Sequence, residues 1–176
     1  RRVCAEAEGL AKSRTLRPGR GERSRAGCAR ATKGRDVLAS FLLPNRENGV
    51  MRRSDQRRDA VFACYQRDVT GRPLEELVAE SRPFTRELAE GAEAHRVELD
   101  AEIARHAKGW ELERIAPLER NVMRVALYEM GHCEDVPTEV AIDEAVEIAK
   151  EYCGADAPGF VNGVLGAVAR EREGVR

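Results

Sequence analysis

An all-helical bundle of about seven helices is the fold predicted by this 176-residue sequence, and three observations predict it. Beyond residue 51, apolar side chains recur at the 3.6-residue spacing of amphipathic helices, with no convincing strand. Composition agrees: 42% hydrophobic and 35% charged residues with only 5% aromatic describe an aliphatic core under a salt-rich surface. Glycine and proline fall in short clusters between the periodic segments, as in packed helices joined by short connections.

The elements follow in order. Ser54 is a candidate N-cap for a first helix to about Arg67, with Ala60, Val61, Cys64 and Tyr65 as its apolar stripe. Gly71 and Pro73 break that pattern, and a short helix spans about Leu74 to Glu80 before Pro83. Phe84, Leu88, Gly91, Ala92, Leu99 and Ile103 mark one long helix to about His106. Lys108 and Gly109 make a turn, and Trp110, Leu112 and Ile115 a short apolar helix. Pro117 restarts the chain, and Leu118, Val122, Val125, Ala126 and Met130 keep helical period to a stop at Gly131. Pro137 suits the opening of the next helix, whose face carries Val140, Ala141, Ala145, Ile148 and Ala149. Gly154 stands where a left-handed cap is expected. A last helix opens near Asp156 and Pro158 and carries Val161, Val164, Leu165 and Val168. Phe160, in its first turn, is either core or a surface platform.

Charge divides the chain unevenly. Residues 1–50 hold 12 Lys and Arg against 5 Asp and Glu, leaving 18 against 26 for residues 51–176. The first segment is basic, rich in Arg, Gly and Ser and poor in periodicity, so it is read as a disordered extension. Met51, just ahead of the first clean helix pattern, is expected to be the physiological start; the other reading of residues 1–50 is a basic RNA-binding arm. Residues 51–176 form the helical domain.

Several function classes lack their parts. No apolar run is long enough for a membrane span. The five cysteines, Cys4, Cys28, Cys64, Cys133 and Cys153, include no C-x-x-C pair, which fits reduced cytoplasmic thiols. Glu129 and His132 have the spacing of half a helical carboxylate metal site, but a site needs two copies, so both residues are read as surface charges. Asp143, Glu144 and Glu147 read as a solvated helix face, and no phosphate or dinucleotide loop is present. No cofactor, metal or enzyme activity is expected.

The remaining constellation is basic and aromatic. Arg52, Arg53, Arg57 and Arg58 crowd the start of an acidic domain, and Tyr65 lies two turns beyond Arg58. Arginines that contact phosphates beside rings that stack on unpaired bases are the minimal kit for single-stranded RNA. A packed Tyr65 beneath solvated arginines is the competing reading.

Three motifs resemble the NusB family of bacterial transcription antitermination factors. They are AVFACYQRD (Ala60 to Asp68), LERNVMRVALYEM (Leu118 to Met130), and DVPTEVAIDEAVEIAK with FVNGVLGAVAR (Asp135 to Arg170). The resemblance implies an all-helical fold of two small packed subdomains. It also implies binding of boxA RNA in ribosomal RNA leaders, jointly with the ribosomal protein NusE, within a Nus-factor complex on RNA polymerase. Carried onto this chain, the RNA surface comprises Arg52, Arg53, Arg57, Arg58, Tyr65, Asp156 and Phe160. Glu119 and Arg120 then lie in a region used for RNA or NusE contact. Pro158 and Gly159 depart from the polar or basic residues of relatives, which puts a phosphate contact there in doubt. The rival readings are a protein-only interaction module or homodimer, and a NusB-like domain detached from a ribosomal RNA cytosine methyltransferase.

Overall fold

The computed structural model describes residues 51–174. Both readings of residues 1–50, and Cys4 and Cys28 with them, lie outside the described residues. Among those described are seven α-helices and one 3-10 turn, with no strand: α1 (Arg53–Thr70), α2 (Leu74–Leu77), α3 (Pro83–Ala94), α4 (Arg96–His106), the 3-10 turn Leu112–Arg114, α5 (Pro117–His132), α6 (Thr138–Tyr152) and α7 (Ala157–Gly174). The described residues are all-α, as their periodicity requires.

Local chemistry explains most boundaries and corrects several expectations. Arg52, not Ser54, is the N-cap of α1, with extended backbone and no side-chain cap. Ser54 lies inside the first turn and donates its hydroxyl to Glu144 at 2.8 Å. Gly71 ends α1 in the left-handed region (φ 70°), donating its N–H to the Arg67 carbonyl, a conformation that costs a Cβ-bearing residue more. Gly154 takes no such role, because Cys153 leaves α6 in extended conformation. The turn at Trp110 to Ile115 closes only one 3-10 turn, and α5 continues through Gly131.

The expected long helix from Phe84 bends at His95. Hydrogen bonds persist on either side, His95 N–H to Gly91 O and Leu99 N–H to His95 O, while His95 itself leaves helical geometry. Beside the bend, Gly91 lies under the Tyr128 ring so closely that a Cβ there would fall 2.0 Å from Tyr128 Cζ. The bend turns α4 so that Asp100 and Glu102 reach Arg124 on α5 and Arg172 on α7.

α5 is the central helix. Residues 121–127 are all buried, as befits a helix with neighbours all round. It packs against α1, α3, α4, α6 and α7. One continuous cluster of buried side chains runs through all seven helices. Val140, expected in that core, is instead 41% exposed, while Ala141, Ala145, Ile148 and Ala149 carry the buried face of α6.

Pair contacts set the helix directions. Arg57 meets Glu129, and Asp68 meets Asn121 and Arg124, so α1 and α5 run antiparallel. Ser54 meets Glu144, and the Phe62 and Tyr152 rings meet edge to face at 4.9 Å, so α1 and α6 run parallel. The end of α1, the end of α6 and the starts of α5 and α7 therefore gather at one end of the bundle.

Candidate nucleic-acid interface

Successive residues of a helix point about 100° apart, so a run of arginines cannot share one environment. Arg52 is exposed. Arg53 is exposed too, reaching Asp135 at 2.8 Å, with its guanidinium 5.0 Å from the Phe84 ring centroid. Arg57 turns inward and is only 5% exposed. Its Nε donates to both Glu129 oxygens at 2.9 Å, its Nη2 lies 2.7 Å from Oε1, and Glu129 is itself 1% exposed. Glu144 stands 3.9 Å away, and the Phe84 ring lies 5.6 Å from the guanidinium carbon. Burial opposes the Arg57 charge, but the hydrogen bond and charge of Glu129 outweigh it and hold its pKa above the usual value. With its guanidinium occupied and covered, Arg57 positions α1.

Arg58, about 100° further round the helix, is half-exposed and pairs with Asp55 at 3.2 Å and Asp59 at 3.1 Å. Burial raises the Asp59 pKa against the opposing pull of Arg58. Across a shallow groove, Arg58 faces Glu144, Glu147, Glu151 and Tyr152 of α6. Glu147 itself pairs with Lys150. The α1 cations therefore sit among carboxylates, and attraction for a polyanion must be local rather than a field of the whole domain.

The other predicted residues gather at the far end. Tyr65 is half-buried, three residues past Phe62. The parallel register of α1 and α6 carries it level with the α6–α7 turn. Glu119, in the first turn of α5, is half-buried, and burial raises its pKa. It lies close enough to Cys153 to help burial push that thiol up to about 11. Arg120 donates from Nη1 to the Leu112 carbonyl at 3.2 Å, while its buried Nε has no partner among the described residues. Asp156 is exposed and accepts the Phe160 N–H at its carbonyl, opening α7. Phe160 is a boundary residue: half-buried, packed against the core on one side, with its ring 5.9 Å from that of Trp110.

Two features escaped the sequence reading. Glu129 is a fully buried ion-pair partner, not a surface charge, because a carboxylate opposite an arginine 72 positions away leaves no local signal. Trp110 was placed on an apolar helix face and is instead 56% exposed. Its position in a turn after Gly109 (φ 81°) was the available clue. His132 is exposed and stacks on Tyr128 at 4.6 Å. Among the described residues, no three His, Cys, Asp or Glu side chains are placed to hold a metal, and no helix is long and apolar enough to cross a membrane.

A family model described as the NusB family matches residues 54–170. The chain is 44% identical over 122 residues to the transcription antitermination protein NusB of Rubrobacter xylanophilus, a match covering 65% of this chain and 88% of that protein. It superposes on the NusB structure from T. maritima with a TM-score of 0.65 at 32% identity, covering 70% of this chain and 94% of that one. A crystal structure of the antitermination factors NusB and NusE in complex with double-stranded RNA also matches, with a TM-score of 0.60 at 25% identity, covering 68% and 96%.

Proposed function

From the premise that the chain belongs to the NusB family, we propose that it is a cytoplasmic transcription antitermination factor that binds boxA RNA together with NusE. It acts as a binding protein, without catalysis, inside a Nus-factor complex on RNA polymerase. The observation that supports this reading most is the match to a NusB chain solved with NusE and RNA, spanning 96% of that chain.

The RNA surface runs along α1 and across the end of the bundle where α6 meets α7. Arg52, Arg53 and Arg58 supply local cations for phosphates, and Arg57 holds α1 in place through Glu129. Tyr65 and Phe160 offer ring faces, Asp156 an exposed acceptor for base edges, and Glu119 and Arg120 contact RNA or NusE. Arg53 and Arg58 both have carboxylate neighbours, so binding by the chain alone is weak, and NusE completes the groove.

Titrating a boxA RNA oligonucleotide with the chain, alone and with NusE, tests this reading. Weak binding alone that tightens with NusE is expected. Absence of RNA binding in both arms, with NusE still bound, would establish a protein-only interaction module instead.

A further inference from the structure

The indole of Trp110 is the largest ring left in water on the described surface. Three other large apolar residues, Val69, Val97 and Val140, are also exposed, but Trp110 is the aromatic among them. The exposure is built in rather than a fraying end. Ala107 ends α4, Lys108 and Trp110 return their N–H groups to the carbonyls of His106 and Ala107, and Gly109 supplies the left-handed residue that makes so tight a return possible. One part of the indole meets the Phe160 ring, with centroids 5.9 Å apart and planes inclined by 57°. The remainder is left to solvent.

What could occupy that surface follows from its rim. Along the chain Lys108 and Arg114 flank Trp110, Glu111 and Glu113 lie between it and Arg114, and Arg114 is paired with Glu111 at 3.5 Å. The rim is close to neutral, so the turn offers phosphates little. It offers a wide π-face, contiguous with a second ring, and a flat uncharged partner uses such a surface best. Unpaired nucleobases have that form, and in RNA they are recognised by stacking on aromatic side chains.

We infer that Trp110 is a base-stacking residue: with Phe160 it forms a two-ring shelf that takes an unpaired base of the bound RNA. This rests on the RNA-binding reading above and extends its surface from α7 onto the α4–α5 connection. The indole takes the base, and Phe160 buttresses the indole from the core side.

Trp110 is the single tryptophan of the chain, so its fluorescence reports the contact directly. A boxA RNA oligonucleotide added to the wild-type chain should quench the emission with the same midpoint as binding followed by RNA anisotropy. Trp110→Ala should weaken RNA binding by roughly 5- to 100-fold, the range for one lost stacked base, and Trp110→Phe should recover most of it. Thermal melts of both variants should stay near wild type, as expected for an exposed turn residue. RNA binding with unchanged emission and unchanged affinity of Trp110→Ala would overturn the inference and leave the RNA-binding reading standing. Failure of the wild type to bind RNA at all would remove that reading, and the inference with it. If Trp110→Ala weakens NusE binding while RNA affinity holds, the shelf belongs to a protein partner and the inference is overturned.

Discussion

Arg57 and Glu129 are locked in a buried, forked ion pair between α1 and α5, with Nε to both carboxylate oxygens at 2.9 Å and Nη2 to Oε1 at 2.7 Å. The next residue, Arg58, lies about 100° further round the same helix and is half-exposed. One arginine thus orients α1, while its neighbour lies on the surface the helix presents. Both jobs depend on the helical angle between them.

Breaking that pair leaves an uncompensated buried charge. Arg57→Ala or Glu129→Gln should each cost about 3–5 kcal/mol, read as a lower urea midpoint and a melting temperature lower by roughly 10–20 °C. Replacing both partners by Leu and Met should recover much of the loss, because desolvation of two charges is avoided. A double variant no more stable than the single ones would contradict this account.

Asp68 makes stability sensitive to acid. Burial opposes its charge, but the hydrogen bond from Asn121 and the charges of Arg124 and Arg96 hold its pKa below the ordinary 3.8. A depressed carboxylate contributes stability above its unfolded pKa and loses it as pH falls through the folded value. Wild type should therefore lose stability below about pH 4. Asp68→Asn should be less stable at pH 7 and should lose less between pH 4 and pH 2. Urea denaturation across that range measures both.

Gly91 is required by contact rather than by backbone angle. A Cβ at that site would fall within 2.4 Å of two Tyr128 ring carbons and its hydroxyl oxygen. Gly91→Ala should cost about 1–3 kcal/mol through overpacking. In the background of Tyr128→Leu the same change should cost much less, and a double-mutant cycle by thermal denaturation measures the coupling.

The surface arginines should act through salt. If Arg52, Arg53 and Arg58 meet phosphates, their alanine variants should each reduce the slope of log K against log salt by about 0.7. Anisotropy titrations at several salt concentrations give that slope, while melting temperatures should hardly move. An unchanged slope would take these arginines off the RNA surface.

Phe160→Ala should weaken RNA binding by about 1–3 kcal/mol if the ring stacks. Because Phe160 also packs on the core, its melting temperature should fall too. Phe160→Leu separates the effects, restoring stability without restoring affinity.

How much of this was legible in the residues themselves can be judged element by element. The 3.6-residue period of Leu118 to Met130 identified α5, and the period around Ala141 to Ala149 identified α6, since burial on one face leaves a repeating apolar mark. Gly71 marked the end of α1, because a left-handed cap favours glycine. The chemical kit of arginines and rings was legible as residue types.

Tertiary packing decided the rest. Arg57 and Arg58 look alike in sequence, and only the carboxylate of Glu129, 72 residues away, makes one of them a core residue. Val140 fits the apolar period of α6 but is left 41% exposed, at the margin of its packed face. The bend at His95 sits beside the close approach of Gly91 to Tyr128, two residues that no local pattern connects. Trp110 has an apolar side chain, yet the turn that holds it leaves most of it in water. Periodicity records which face of a helix is buried. Which charges find partners and which rings stay exposed depends on surfaces brought together from distant parts of the chain.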